Sequence, residues 1–83
     1  MMGVPATLPA LFEMTRAADE SGVSGIGKVG EGAIWSDGTC TFRWLTAKAR
    51  STVFYGSFAD FCAIHIDPHP DNGTELHWLE GKP

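Results

Sequence analysis

Eighty-three residues make one domain with a thin core, burying roughly 60–65% of the surface the unfolded chain exposes. Ten Asp and Glu outweigh six scattered Lys and Arg for a net charge of −4, which counts against nucleic acid, since its binders need clustered cations to neutralise phosphates. No apolar run approaches the ~20 residues of a membrane span, and the opening "MMGVPATLPA" has neither the basic region nor the apolar stretch of a secretory signal, so a cytoplasmic protein is expected.

Residues 1–9, with two Pro and a Gly, read as a flexible N-terminal arm before a single domain over residues 10–80. "LFEMT" (Leu11–Thr15) alternates and predicts a strand with Phe12 and Met14 inward. "RAADESGVSGIG" is a connection. "KVGEGAIW" predicts a second strand whose glycines mark a bulge or a close backbone approach. The period of two puts Val29, Ala33 and Trp35 on one face of it.

"WSDGT" (Trp35–Thr39) then joins this run to "CTFRWL", where Cys40, Phe42 and Trp44 alternate with polar residues. Asp-Gly between two alternating runs is a strong hairpin signal, because Gly accepts the positive φ that tight hairpins require. "TAKARS" is a polar connection, and "STVFY" (Ser51–Tyr55), rich in β-branched and aromatic residues, is the next strand. Ser57 followed by Asp60 predicts a capped helix, with Phe58, Phe61, Cys62 and His65 along one face. "DPHPDNG" stops it. "TELHWLE" is the last strand, with Leu76 and Trp78 on one face and His77 on the other, and residues 81–83 are a frayed tail. The fold class is α+β: a small antiparallel sheet or half-barrel of four to five strands with one short helix, in an order the sequence leaves open. Trp44 and Trp78 are expected in the core.

The candidate chemistries are thin. "GIGKVG" (Gly25–Gly30) matches a dinucleotide-binding pattern, but it leads into a strand instead of a helix, so no cofactor is expected. His65, Asp67 and His69, with Cys62 nearby, invite a metal, yet two His split by prolines do not match a zinc pattern, and no metal is expected. The ingredients of a nucleophilic site exist as Cys62, His65 and Asp67, or Ser51 with His77, but no signature joins them. Cys40 and Cys62, both in apolar runs, are expected as buried thiols, with a single disulfide left open. Arg43 and Glu31 are charges inside strands and are expected to pair across them, with a polar pocket or contact surface as the alternative.

From Ser21 to Leu79 the chain resembles a group of small proteins of actinobacteria and the phages that infect them. The resemblance rests on "SGVSG", "VGEGAIWSDGTCTFRWL", "ST-VFY-S", the spacing of Asp60, Ile64 and His65, and the closing "T-LHWL". Members tend to have a shorter turn after the helix than "IDPHPDNG". The resemblance implies a fold held by the hairpin and the final Trp strand, and a phage- or prophage-encoded protein; it brings no activity with it.

The functional expectation is a non-enzymatic protein that acts by binding a protein partner, a host factor among the candidates, or by self-association, without nucleic acid or membrane. Trp35, Arg43, Tyr55, His65, His69 and His77 are the candidate contact residues, because surplus aromatics and Arg favour interfaces. The alternatives are a small-molecule pocket between helix and sheet, anchored by Arg43 and Trp44, and a metal-dependent enzyme at His65 and His69.

Overall fold

The structure is a computed structural model that describes residues 4–17, 27–45, 50–68 and 70–79. The described residues form β1 (Ala10–Arg16), β2 (Gly27–Ile34), β3 (Cys40–Leu45), β4 (Arg50–Tyr55), α1 (Phe58–His65), a short 3-10 turn at Pro70–Asn72, and β5 (Glu75–Leu79). The strands make one open sheet in the order β4-β3-β2-β1-β5, with every neighbouring pair antiparallel. The chain meanders from β1 to β4. It then crosses one face as α1 and lays β5 on the far side of β1. The fold is the expected α+β sheet with one short helix.

The core lies between α1 and that face. Phe12, Met14, Ile34, Cys40 and Phe42 from the sheet meet Phe58, Phe61 and Cys62 from the helix, all of them buried. Aromatic rings fill most of it. Phe12 lies with its ring centroid 5.4–5.9 Å from those of Phe42, Phe58, Phe61 and Trp78, in the offset and edge-on arrangements that ring quadrupoles favour. Gly30 and Gly32 explain how rings this large fit against a backbone: a Cβ on Gly30 would clash with the outer end of the Phe42 ring, and one on Gly32 with the outer end of the Phe12 ring. The expectation of close backbone approach in β2 holds there.

One face assignment is overturned. Strict alternation groups Val29 with Ala33 and Trp35, yet Val29 is buried in the core cluster. The β1–β2 register shifts after Met14: Met14 faces Gly30 while Thr15 faces Lys28, so Val29 is an extra residue. Such a bulge sets two residues of one strand against one of the other and breaks the alternation locally. Trp44 and Trp78 do turn toward the core, but both are half-buried and pack at its margin, because β5 is an edge strand and Trp44 stands next to the end of β3.

The hairpin at "WSDGT" is a bend. Trp35 N–H donates to the Thr39 carbonyl at 2.8 Å and Gly38 N–H to the Trp35 carbonyl at 2.9 Å, while Gly38 takes φ +88. Asp37 braces the turn, accepting from the Thr39 hydroxyl at 2.6 Å and the Thr39 N–H at 3.0 Å. These donors hold its carboxyl below the usual aspartate range. The contribution of this contact is therefore present above the unfolded pKa and is lost as pH falls through the lowered folded value. Gly38→Val is expected to lower stability by about 1–2 kcal/mol, because a β-branched side chain resists positive φ. Asp37→Asn keeps an acceptor for the Thr39 N–H and is expected to leave the melting temperature nearly unchanged at neutral pH. Thermal melts of the two variants check both.

The helix begins as its sequence dictates: the Ser57 hydroxyl accepts the Asp60 N–H at 3.1 Å, satisfying a donor that the first turn leaves open. Its last turn is tied to β1 by Arg16, a charged side chain only 5% exposed. The Arg16 guanidinium donates to the His65 carbonyl at 2.7 Å and lies 5.6 Å over the Trp44 ring. A cation suits the negative end of the helix dipole. Cys40 and Cys62 are free and buried, and burial pushes the Cys40 thiol up to about 11 and raises that of Cys62.

Candidate functional site

α1 covers one face of the sheet, and among the described residues no element covers the other. Strand register builds this open face in rows. Cross-strand partners Phe54, Thr41, Ala33, Leu11 and Leu79 form one row across all five strands. Small Ala33 is sheltered among its neighbours, but Phe54 is 79% exposed, Leu11 53% and Leu79 39%. Trp35, 44% exposed, follows two residues after Ala33 and extends the apolar end toward the hairpin.

The next row is polar: Thr52, Arg43, Glu31, Glu13 and His77. Lys28, brought to this side by the bulge, donates to Glu13 at 2.8 Å and to Glu31 at 2.9 Å. Those two hydrogen bonds hold its ammonium above the usual lysine range. Arg43 stands opposite Glu31 in register, but its Nε donates to the Thr52 hydroxyl at 3.0 Å. The expected Arg43–Glu31 pair is thus a register neighbour whose side chains are engaged elsewhere. His77 meets the Thr15 hydroxyl at 3.0 Å, and Glu75 stands 3.7 Å from it. The face has an apolar end and a charged end, each one row or more deep.

The candidate contact residues divide between two faces. Trp35, Arg43 and His77 lie on the open face. Tyr55 and His65 lie on the helix side, where the Tyr55 hydroxyl and His65 Nε2 are 2.8 Å apart, and His65 packs against Trp44 and Phe61. These two brace the helix against the sheet. His69 lies outside the described residues. Arg43 and Trp44 cannot anchor one ligand together, because adjacent residues of a strand point to opposite faces. Ser51 and His77 stand on the two edge strands, roughly 19 Å apart at ~4.8 Å per strand, so they do not meet. Cys62 is 1% exposed with its thiol pushed up by burial, which disfavours the reactive thiolate. Among the described residues no three His, Cys, Asp or Glu side chains group as metal ligands.

Leu11, Phe54 and Leu79 escape a reading of the sequence for contact residues, as do Glu13 and Lys28. A signal was present: each of the three apolar residues is in phase with polar ones on its own strand, Leu11 with Glu13, Phe54 with Thr52, Leu79 with His77. An apolar side chain on a polar phase is the mark of an exposed apolar face.

No helix among the described residues is long and apolar enough to cross a membrane. No curated protein and no solved structure is similar to the chain. A family model described as Acb5 phage protein matches residues 9–80. That span takes in every strand, the helix and both rows of the open face, and the chain belongs to the Acb5 phage protein family.

Proposed function

We propose that this member of a phage protein family acts without catalysis, by binding a protein partner through the open face of its sheet. The observation that carries the reading is the row of Phe54, Leu11 and Leu79, exposed on a face that α1 leaves bare. Large apolar side chains spread in a row across a sheet are costly to leave in water at about 25 cal/mol per Å², and an apolar patch rimmed by charges has the anatomy of a protein interface. The neighbouring row of Arg43, Glu31, Glu13, Lys28 and His77 would set orientation and selectivity more than affinity. The sequence resemblance makes actinobacteria the expected hosts, with a host protein in the cytoplasm as the expected partner.

Site-specific photo-crosslinking in infected cells tests this. A crosslinker in place of Leu11 or Leu79 is expected to trap one discrete protein, while the same group at Ala63, exposed on the outer side of α1, traps none. Adducts from Ala63 in preference to Leu11 and Leu79 would overturn the reading.

A further inference from the structure

We propose that Arg43 receives a carboxylate side chain of the protein bound on the open face, so that the partner presents an Asp or Glu beside apolar side chains. The inference rests on the open-face reading and adds to it the chemistry of the partner. It starts from the bulge in β2. Strict alternation from Glu31 would send Lys28 to the helix side. With Val29 extra, Lys28 stands opposite Thr15, on the same side as Glu13. There it draws in both carboxylates of the polar row, Glu13 at 2.8 Å and Glu31 at 2.9 Å. Glu31 is the residue that register sets opposite Arg43. The bulge thus gives Glu31 to Lys28 and leaves Arg43 without a carboxylate: among the described residues its one hydrogen bond is from Nε to the Thr52 hydroxyl.

That bond prepares the group for a ligand. Nε is the inner nitrogen of the guanidinium, so holding it on Thr52 leaves Nη1 and Nη2 of an exposed side chain to face outward. Those two nitrogens are parallel donors whose spacing matches the two oxygens of a carboxylate. A side chain already held in place gives up less conformational freedom on binding. The apolar row begins two residues along the strands, at Thr41 and the exposed Phe54, about 6–7 Å away. An acid seated on Arg43 therefore has apolar neighbours in the same segment.

Charge favours a carboxylate over a phosphate. Beside Arg43 stands the group of Glu13, Lys28 and Glu31, two carboxylates and one ammonium, itself net negative on a chain of net charge −4. A phosphate on a side chain carries about −1.5 to −2 at neutral pH, more than one guanidinium offsets in such surroundings, whereas a carboxylate matches it charge for charge. The same carboxylates repel an acid placed elsewhere along the row, so Arg43 fixes where the partner's acid sits and with it the partner's orientation.

The probe is the protein trapped by the crosslinker at Leu11, purified and titrated against the full chain. Arg43→Gln is expected to weaken binding about 30-fold or more. Arg50→Gln removes the same charge from the neighbouring strand and is expected to change it less than about 3-fold. Thr52→Val, which releases Nε, should cost about 3–10-fold. All three sites are exposed, so thermal melts should match wild type. A crosslinker at Thr52 should mark a stretch of the trapped protein that contains an Asp or Glu, and changing that acid to Lys should restore binding to Arg43→Glu. Unchanged affinity in Arg43→Gln, an equal loss in Arg50→Gln, or a charge exchange that restores nothing overturns the proposal. So does binding that disappears when the trapped protein is treated with phosphatase. Each of these leaves the open-face reading standing if Leu11→Lys/Leu79→Lys still abolishes binding; a crosslinker at Leu11 that traps no protein overturns both.

Discussion

Phe12→Ala is expected to remove about 3–5 kcal/mol of stability, a large share of what a domain of this length has, roughly 4–12 kcal/mol. Phe12 is fully buried at the middle of the ring cluster, touching Phe42, Phe58, Phe61 and Trp78. It is the side chain through which β1 meets β3, β5 and α1 at once. Its removal leaves a void that the sheet cannot close, since the neighbouring rings are fixed to three other elements and the space below is Gly32. Urea denaturation followed by Trp fluorescence reads the loss. A cost below about 1 kcal/mol would mean that the core does not depend on this ring.

Gly32→Val is expected to be as damaging by the opposite route, about 3 kcal/mol or more from overpacking. The outer carbons of the Phe12 ring stand too close to where a Cβ on Gly32 would lie, and Val adds two further methyl groups there. The effect is steric. Combining Gly32→Ala with Phe12→Leu should therefore cost less than the sum of the two single changes, because a smaller side chain over the site makes room for the methyl. Additive costs in the urea midpoints of this cycle would refute the packing argument. Gly38→Val provides the contrast, since a Cβ at the hairpin has open space around it and only backbone strain opposes it.

Elements whose cause is local were legible in the sequence. The Asp-Gly hairpin, the Ser57 cap and the inward phase of Phe12, Met14, Phe42 and Trp78 each follow from residues a few positions apart, as the structure shows. Val29 departs from the alternation because a bulge is a relation between two strands: the glycines around it warn of irregularity, but only pairing with β1 shows which residue is extra. Arg16 over Trp44, and Tyr55 against His65, join residues distant in the chain, and no spacing rule reaches them. The open face was hidden for the same reason. Leu11, Phe54 and Leu79 become one surface only once the strand order β4-β3-β2-β1-β5 is known, and that order depends on where α1 delivers β5.

The reading of the open face as a binding surface meets its most direct test in the affinity of the crosslinked partner, once purified, for two variants of matched stability. Leu11→Lys/Leu79→Lys places two cations in the apolar row, and Ala63→Lys places one on the exposed side of α1. Calorimetric titration is expected to show binding weakened at least ~100-fold by the first, about 2.7 kcal/mol, and unchanged by the second. Equal affinity for wild type and Leu11→Lys/Leu79→Lys, with both chains folded, would contradict the account.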